Sequence, residues 1–198
     1  MADAPPATPL LLASTSPQRS AILHQLGIPF DVVVPKYQEQ EVQAQNALRI
    51  VQEHAQGKAR SVAEEAEGRP VIGVDTAVVL GGEVFGKPAD ASDAEQMLER
   101  LSGQRHAVIS GLCLLTPGWE FVDADTTLVT FRTLTPRDLA AYVSSGEWEN
   151  RAGAYAIQAR GAGLVESIQG DYLNVVGLPA SLLVRVLAER FAGVYGFG

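Results

Sequence analysis

The sequence has few cysteines, which cross-link small folds, and few basic residues, which bind large polyanions. It has one cysteine among 198 residues, so an intramolecular disulfide is impossible and a cysteine-rich zinc site is excluded. It carries 15 basic against 23 acidic residues, a net charge of −8, which argues against a broad basic face for nucleic acid or an anionic membrane. No apolar run approaches the roughly 20 residues of a membrane helix. Positive charge can therefore serve only a local pocket for a small anion.

What is present suits one packed domain. Hydrophobic residues make up 46% of the chain, as in ordinary globular proteins. The start of the chain is acidic and rich in proline, so we expect residues 1–8 to form a flexible tail and residues 9–198 a single domain. No basic region precedes Leu10, which excludes a secretory signal and leads us to expect a cytoplasmic protein.

The order of apolar runs and helical stripes predicts an α/β fold with a mixed sheet. Strands are expected at 9–13, 30–34, 70–80, 83–85, 107–115 and 121–132, with a hairpin turn at Gly81-Gly82. Helices are expected from Pro17 onward, over 42–66 and over 92–101. Two more are expected, one capped by Thr135 and ending at residue 143, and one over 179–191. Residues 153–164 are rich in glycine and alanine and predict an irregular binding loop.

Two of these helices carry further signals. Ser92 and Glu95 match a capping box. In the long helix, Leu48, Val51, Ala55, Ala59 and Val62 recur every three or four residues and are expected to face inward. His54 and Lys58 lie one turn apart, which indicates a polar face.

The first candidate site runs from Ser14 to Arg19. A strand leads there through a loop into a helix, where free backbone N–H groups and the helix dipole favour an anion. Ser16 suits the N-cap and Pro17 the first helical position. Arg19 opposes the dipole unless an anion binds nearby. An ordinary capped helix with an exposed arginine explains the pattern equally well.

The second candidate is Asp75, which interrupts the most apolar strand of the chain. Strand alternation places it on one face with Gly73 and Ala77, whose small side chains leave room for another group to approach. A carboxylate in such a run is costly to bury without a partner. It is either a functional group or a structural aspartate that accepts backbone hydrogen bonds.

A third pattern is misleading. Residues 81–87 fit G-x-x-x-x-G-K, but a P-loop needs Ser or Thr next and this chain has Pro88. We therefore reject a P-loop phosphotransferase. Lys87 stays a candidate because Pro88 holds it in an extended conformation close to the start of a helix.

Six blocks, read together, identify a family. They are 12–19 (LASTSPQR), 74–76 (VDT), 86–88 (GKP), 101–103 (LSG), 153–158 (GAYAIQ) and 175–179 (VVGLP). In order and spacing they resemble the Maf proteins over residues 10–187. This resemblance implies a nucleoside triphosphate pyrophosphatase whose fold is similar to the inosine triphosphate pyrophosphatases: an elongated mixed sheet flanked by helices, with two lobes around a cleft.

The resemblance also implies roles for individual residues. Asp75 would be the catalytic proton acceptor for the attacking water, and Glu39 would help to bind a divalent metal, Mg or Mn. The triphosphate would be held by Ser14, Arg19, Lys58 and Lys87. Such a pocket suits the reaction, because hydrolysis between the α and β phosphates places negative charge on the leaving pyrophosphate.

The block at 153–158 resembles the dTTP/UTP branch of the family. Gln158 offers an acceptor and donors to the imide edge of thymine or uracil, and Thr76 matches another specificity position. Gln18 stands where the family usually has the first of two arginines, so we expect a broader substrate range with pyrimidines still preferred.

The expected function is therefore hydrolysis of a nucleoside triphosphate to monophosphate and pyrophosphate, with removal of non-standard or surplus nucleotides as a role. The alternative is a slow nucleotide-binding regulator of septum formation. No nucleic-acid or membrane partner is expected, and a homodimer is left open. The tail from Phe191 to Gly198 suggests no function.

Overall fold

A computed structural model of the chain describes residues 7–39 and 46–198. Seven strands form one mixed sheet in the order β2-β1-β3-β5-β6-β7, with β4 also paired to β3. The strands are β1 Leu10–Ala13, β2 Phe30–Val33, β3 Val71–Leu80, β4 Glu83–Phe85, β5 Arg105–Thr116, β6 Trp119–Phe131 and β7 Val165–Gln169. The helices are α1 Pro17–Gln25, α2 Ala47–Arg60, α3 Ala91–Leu101, α4 Pro136–Val143, α5 Tyr172–Val176 and α6 Ala180–Arg190. Short 3₁₀ segments lie at Glu64–Ala66, Ala152–Ala154 and Ala159–Leu164.

The sheet is parallel at one end and antiparallel at the other. Strand β1 pairs in parallel with β2 and β3, whereas β3, β5, β6 and β7 pair antiparallel in sequence. This arrangement confirms the predicted mixed α/β fold. None of the helices in the two described stretches is long and apolar enough to cross a membrane.

Strand β3 has a gap along one edge. On that edge it pairs with β1 only as far as Gly73 and with β4 only from Val78 onward. Its other edge pairs with β5 without interruption from Val71 to Val79. Residues 74–77 thus have no strand neighbour on the first edge within the described part of the chain. The gap arises because Pro17 turns the chain into α1 soon after β1, and because the Gly81-Gly82 hairpin returns only a short strand.

Two apolar cores lie on one face of the sheet, on either side of this gap. The first joins β1, α1 and α6, with Leu12, Leu23 and Leu183 at its centre. The second joins α3, α4 and the far ends of β5 and β6, with Leu98 and Phe131 fully buried. They correspond to the two expected lobes, and the gap in β3 lies between them.

Helix α2 covers the opposite face, and two glycines let it approach closely. A Cβ at Gly73 would lie 2.0 Å from the carbonyl oxygen of Ala55, and one at Gly111 would lie 2.2 Å from that of Val51. Any larger residue would push the helix off the sheet. The helix backbone therefore lies against the strands, and its inward side chains end beside β3 and β5.

Most predicted elements are confirmed, with shifted ends. The hairpin at Gly81-Gly82 forms as expected. The cap at Thr135 forms as a full capping box with Asp138. The long helix begins at Ala47 and ends at Arg60; its predicted start, near residue 42, lies outside the described residues.

Two predictions about the helices are wrong. The cap of α3 is Asp90, which accepts from the Asp93 amide at 2.9 Å, so the helix begins before Ser92 could cap it. Leu48 is 43% exposed, because the side of α2 that packs on the sheet runs through Ala47, Val51 and Ala55. The positions predicted for Ser16 and Pro17, at the N-cap and the first helical position of α1, are confirmed; the Ser16 hydroxyl makes no capping bond and donates to Gln18.

The predicted N-terminal tail falls largely outside the described residues. Of its last two members, Ala7 packs against the first core. The carbonyl of Thr8 accepts a hydrogen bond at 3.1 Å from the hydroxyl of Tyr195, which is itself buried in the C-terminal segment.

Candidate active site

Asp75 lies in the gap of β3 and faces α2, where both of its oxygens have partners. Oδ1 accepts from Nζ of Lys58 at 2.6 Å, and Oδ2 lies 3.2 Å from Nδ1 of His54. The predicted polar face of His54 and Lys58 is not a solvated one, since both residues are 7% exposed. One turn of helix places them on the same side, and the close approach of α2 at Gly73 brings that side onto the strand.

These contacts keep Asp75 ionised. Burial alone would raise the pKa of its carboxyl, but the hydrogen bond from His54 and the charges of Lys58 and Arg19 outweigh burial and leave the pKa below its ordinary value. The same hydrogen bond raises the pKa of His54. The carboxylate is therefore charged at neutral pH and held at both oxygens.

Glu39 joins this group from the loop that follows β2. Its Oε1 lies 2.6 Å from Nζ of Lys58, so one ammonium bridges two carboxylates. The loop is held near α2 by Tyr37, whose ring lies where a Cβ at Gly57 would be, only 2.2 Å away. Glycine at position 57 thus makes room for the ring that supports this approach.

Glu39, His54 and Asp75 together have the ligand atoms of a cation site. Each offers one ligand atom, and these atoms lie within 4.8 Å of one another. Two carboxylate oxygens and one imidazole nitrogen suit a divalent cation of the Mg²⁺ or Mn²⁺ type. Nε2 of His54 is buried without a hydrogen-bond partner in the described structure. This nitrogen is therefore available to a cation, while the other ring nitrogen, Nδ1, lies beside Asp75.

Arg19 occupies the other face of the gap and ties three segments together. Its Nε donates to the carbonyl of Gly177 at 2.9 Å, Nη1 to Oγ of Ser14 at 3.0 Å and Nη2 to Oγ1 of Thr76 at 3.3 Å. Burial lowers its pKa while Asp75 and Glu39 raise it. The predicted anion loop is thus joined to β3 by a half-buried cation.

The hydroxyls around Arg19 form a short network. Oγ of Ser14 also accepts from the Ser16 amide at 3.2 Å. Oγ1 of Thr76 lies 2.9 Å from Oγ of Ser110, which is fully buried on β5. Gln18, in the first turn of α1, accepts from Oγ of Ser16 at 3.1 Å. These contacts set the side of the gap on which a phosphate would meet the N-terminus of α1.

Lys87 and Gln158 lie in the second lobe, away from this cluster. Both are exposed, and neither side chain makes a hydrogen bond or ion pair within residues 7–39 and 46–198. Their loops are joined, because the Gly153 amide donates to the Gly86 carbonyl at 3.0 Å. The structure thus gathers Ser14, Arg19, Glu39, Lys58, Asp75 and Thr76 around the gap, whereas Lys87 and Gln158 lie apart from it on two joined loops of the second lobe.

Two members of the site were missed by the sequence reasoning. His54 was assigned only to a polar helix face, although its spacing of four from Lys58 was visible. Ser110 gave no signal, because a serine in an apolar strand looks like core filler. Its partner Thr76 becomes apparent only from the register that pairs Thr76 with Ser110.

Comparison with known proteins finds a matching family model and similar curated proteins. The family model described as Maf-like protein matches residues 9–190. A dTTP/UTP pyrophosphatase of Symbiobacterium thermophilum is 47% identical over 180 residues, covering 91% of this chain and 93% of that protein. One of Aquifex aeolicus is 43% identical over 180 residues, covering 91% and 94%. One of Escherichia coli O157:H7 is 47% identical over 173 residues, covering 87% and 88%.

Among solved structures, the Ham1 protein of Staphylococcus aureus aligns with a TM-score of 0.45 at 16% identity, over 63% of this chain and 72% of that one. A likeness this loose has no bearing on the reaction.

Proposed function

The chain belongs to the Maf family, and from that premise we propose that it is a nucleoside triphosphate pyrophosphatase that prefers dTTP and UTP. The reaction is hydrolysis between the α and β phosphates, giving a nucleoside monophosphate and pyrophosphate. The observation that carries this proposal is the ionised Asp75, held at both oxygens beside Lys58 in the gap of β3. A protein that only bound nucleotides need not retain a catalytic carboxylate.

The cations around the gap provide the charge that the substrate needs. A triphosphate brings several negative charges, and the transition state moves more charge onto the leaving pyrophosphate. Lys58 and Arg19 lie at the gap, and Lys87 lies on an exposed loop of the second lobe. We assign these three, with the Ser14 hydroxyl and the free amides of α1, to phosphate binding.

Asp75 orients the attacking water and accepts its proton. A carboxylate with a lowered pKa is a weak base. Asp75 becomes a stronger base once the ammonium of Lys58 moves to a phosphate, because the ammonium then no longer stabilises the ionised carboxylate. His54 stays on Oδ2, so Oδ1 is the oxygen that becomes available to water.

Glu39, His54 and Asp75 would hold the divalent cation that this family implies. We propose Mg²⁺ or Mn²⁺; when bound, the cation neutralises phosphate charge and polarises the scissile bond. The imidazole favours Mn²⁺, because Mg²⁺ prefers oxygen ligands alone.

Base selection is assigned to Gln158, Thr76 and Gln18. The exposed amide of Gln158 matches the donors and acceptors of a thymine or uracil edge. Thr76 is fixed by Arg19 and Ser110. We further propose that the protein acts in the cytoplasm as one domain on free nucleotides, with no nucleic-acid or membrane partner. A homodimer stays a prediction.

The test is a panel of nucleoside triphosphates with separate detection of pyrophosphate and orthophosphate. We expect pyrophosphate and monophosphate as the first products, and the highest kcat/KM with dTTP and UTP. Release of orthophosphate and a nucleoside diphosphate would contradict the proposed bond cleavage. A preference for purines would contradict the assigned base selection.

A further inference from the structure

The loop that carries Gln158 is fixed by α4 and by the turn that follows it. On one side of Gln158, the Ala156 amide donates to the hydroxyl of Tyr142 at 3.0 Å. On the other side, the amides of Arg160 and Gly161 donate to Oε1 and Oε2 of Glu147, each at 3.2 Å. A single carboxylate thus binds two successive amides, in the manner of an anion at the start of a helix.

Between these anchors the backbone turns sharply. Ala159 has a φ of 51°, in the left-handed region that side chains with a Cβ seldom adopt. A Cβ at Gly161 would lie 1.7 Å from the carbonyl oxygen of Ala156, so the loop closes upon itself. A conformation of this kind persists only where its surroundings impose it. The two amides that donate hydrogen bonds to Glu147 belong to the residues immediately after Ala159.

The direction of Gln158 therefore depends on its backbone. Its side chain is exposed and has no hydrogen-bond partner among residues 7–39 and 46–198. Neighbouring Ile157 is buried and Ala156 is tied to Tyr142, which holds the first half of the loop. In the second half, Glu147 binds the two amides nearest to Gln158, and Arg132 donates to the carbonyl of Gly163 further along.

We propose that Glu147 is a specificity-determining positioning residue, which fixes the amide of Gln158 for reading the base of the nucleotide. The assignment rests on the proposed function, because it presumes that Gln158 reads the base. Glu147 does not touch the substrate. It acts by holding Arg160 and Gly161, so its loss alters discrimination between bases more than the hydrolysis step.

The experiment is a double-mutant cycle between Glu147→Ala and Gln158→Ala, with kcat/KM measured for dTTP and GTP. We expect each single change to lower the dTTP:GTP ratio by up to about tenfold, the scale of one neutral hydrogen bond between an amide and a base edge. Because Glu147 acts through Gln158, the double variant should have the ratio of Gln158→Ala alone. Glu149→Ala, two residues further on and exposed, is the matched control and should leave the ratio unchanged.

Each outcome decides the matter. If Gln158→Ala lowers the ratio and Glu147→Ala does not, the positioning role is wrong while the base reading stands. If Gln158→Ala leaves the ratio unchanged, the positioning role of Glu147 and the base reading by Gln158 are both wrong. The pyrophosphatase activity is measured separately, so that result does not decide it. An equal loss on both nucleotides would make Glu147 a structural residue and overturn the inference. Glu147→Gln, which keeps one acceptor oxygen, should give a smaller loss and serves if the alanine variant does not fold.

Discussion

The ammonium of Lys58 lies 2.6 Å from Oδ1 of Asp75, with the two side chains only 9% and 14% exposed. The same ammonium lies 2.6 Å from Glu39. A lysine therefore occupies the space between two carboxylates that would ligate a divalent cation. Like charges cannot share that space, so the ammonium must move toward the phosphates as the cation binds. Nucleotide and metal are then expected to bind more tightly together than apart.

Replacing Lys58 by Met tests this competition. Without the ammonium the two carboxylates lose their internal cation, so Mn²⁺ should bind the nucleotide-free protein about tenfold more tightly than it binds the native chain. Turnover should fall, because the same residue is assigned to phosphate binding. Titration calorimetry, or the electron paramagnetic resonance signal of free Mn²⁺, reports the affinity.

The control for this change is Arg60→Met on the same helix. Arg60 pairs with Glu120 at the surface, away from the gap, and its loss should not affect metal affinity. Equal affinities for Lys58→Met and the native protein would show that lysine and metal do not compete.

Asp75→Asn should preserve the fold and nucleotide binding while lowering turnover by about 100-fold or more, the usual scale for losing a general base. Binding should improve, since a negative charge leaves a site for a polyanion. Turnover is followed by pyrophosphate release and affinity by calorimetry with a non-hydrolysable analogue. Asp125→Asn, on β6, which β5 separates from β3, is the control. Near-native turnover in Asp75→Asn would remove Asp75 from its assigned role.

His106 should make the stability of the protein depend on pH. It is buried, with its Nε2 2.9 Å from the hydroxyl of Tyr155, and burial lowers its pKa from 6.5 to about 4. The unfolded chain therefore binds a proton between these values and the folded chain does not. Stability is full above pH 6.5 and falls as the pH drops toward 4, by up to about 3 kcal/mol.

Urea unfolding of the native chain and of His106→Phe, at pH 7.5 and 5.0, measures this dependence. The difference in unfolding free energy between the two pH values should be smaller in the variant. An unchanged difference would mean that other groups cause the acid sensitivity.

The sequence predicted the central strand and its aspartate because both are local patterns. An aspartate within the apolar run of β3 stands out against its neighbours, and Gly81-Gly82 is a strong hairpin signal. The surroundings of Asp75 were not predictable in the same way. His54 and Lys58 look solvated on an isolated helix, and only the approach permitted by Gly73 and Gly111 buries them. That approach depends on how α2 packs against β3 and β5, which no local sequence pattern shows.

Two short elements were missed for a related reason. Strand β7 is largely exposed and lies at the edge of the sheet, so it lacks the apolar alternation that reveals a strand. Helix α5 has five residues and depends on tertiary contacts. Asp171 caps it, and the buried amide of Asn174 donates to Val108 and Thr127 on the sheet. Contacts of this kind, between residues distant in sequence, leave no local pattern.

Gln18→Arg should change which nucleotides the protein accepts. Gln18 lies in the first turn of α1 beside Arg19, and it carries no charge toward the phosphates. It accepts from Ser16 at 3.1 Å, and an arginine there would lose that contact but gain a charge-assisted hydrogen bond to the substrate. Such a bond is worth roughly 1.5–3 kcal/mol, or about 10- to 150-fold in kcat/KM. We expect the gain to fall mainly on dTTP, which narrows the substrate range.

The measurement is kcat/KM for dTTP, UTP, CTP, ATP and GTP on both proteins. Gln25→Arg, at the exposed end of the same helix, controls for the added charge alone, which would raise the rates on all five nucleotides together. A gain confined to the pyrimidines in Gln18→Arg, absent from Gln25→Arg, would place position 18 among the residues that choose the base. If ranking and rates stay the same in Gln18→Arg, position 18 does not meet the substrate, and the phosphates must lie nearer to Lys58 and Lys87 than to the start of α1.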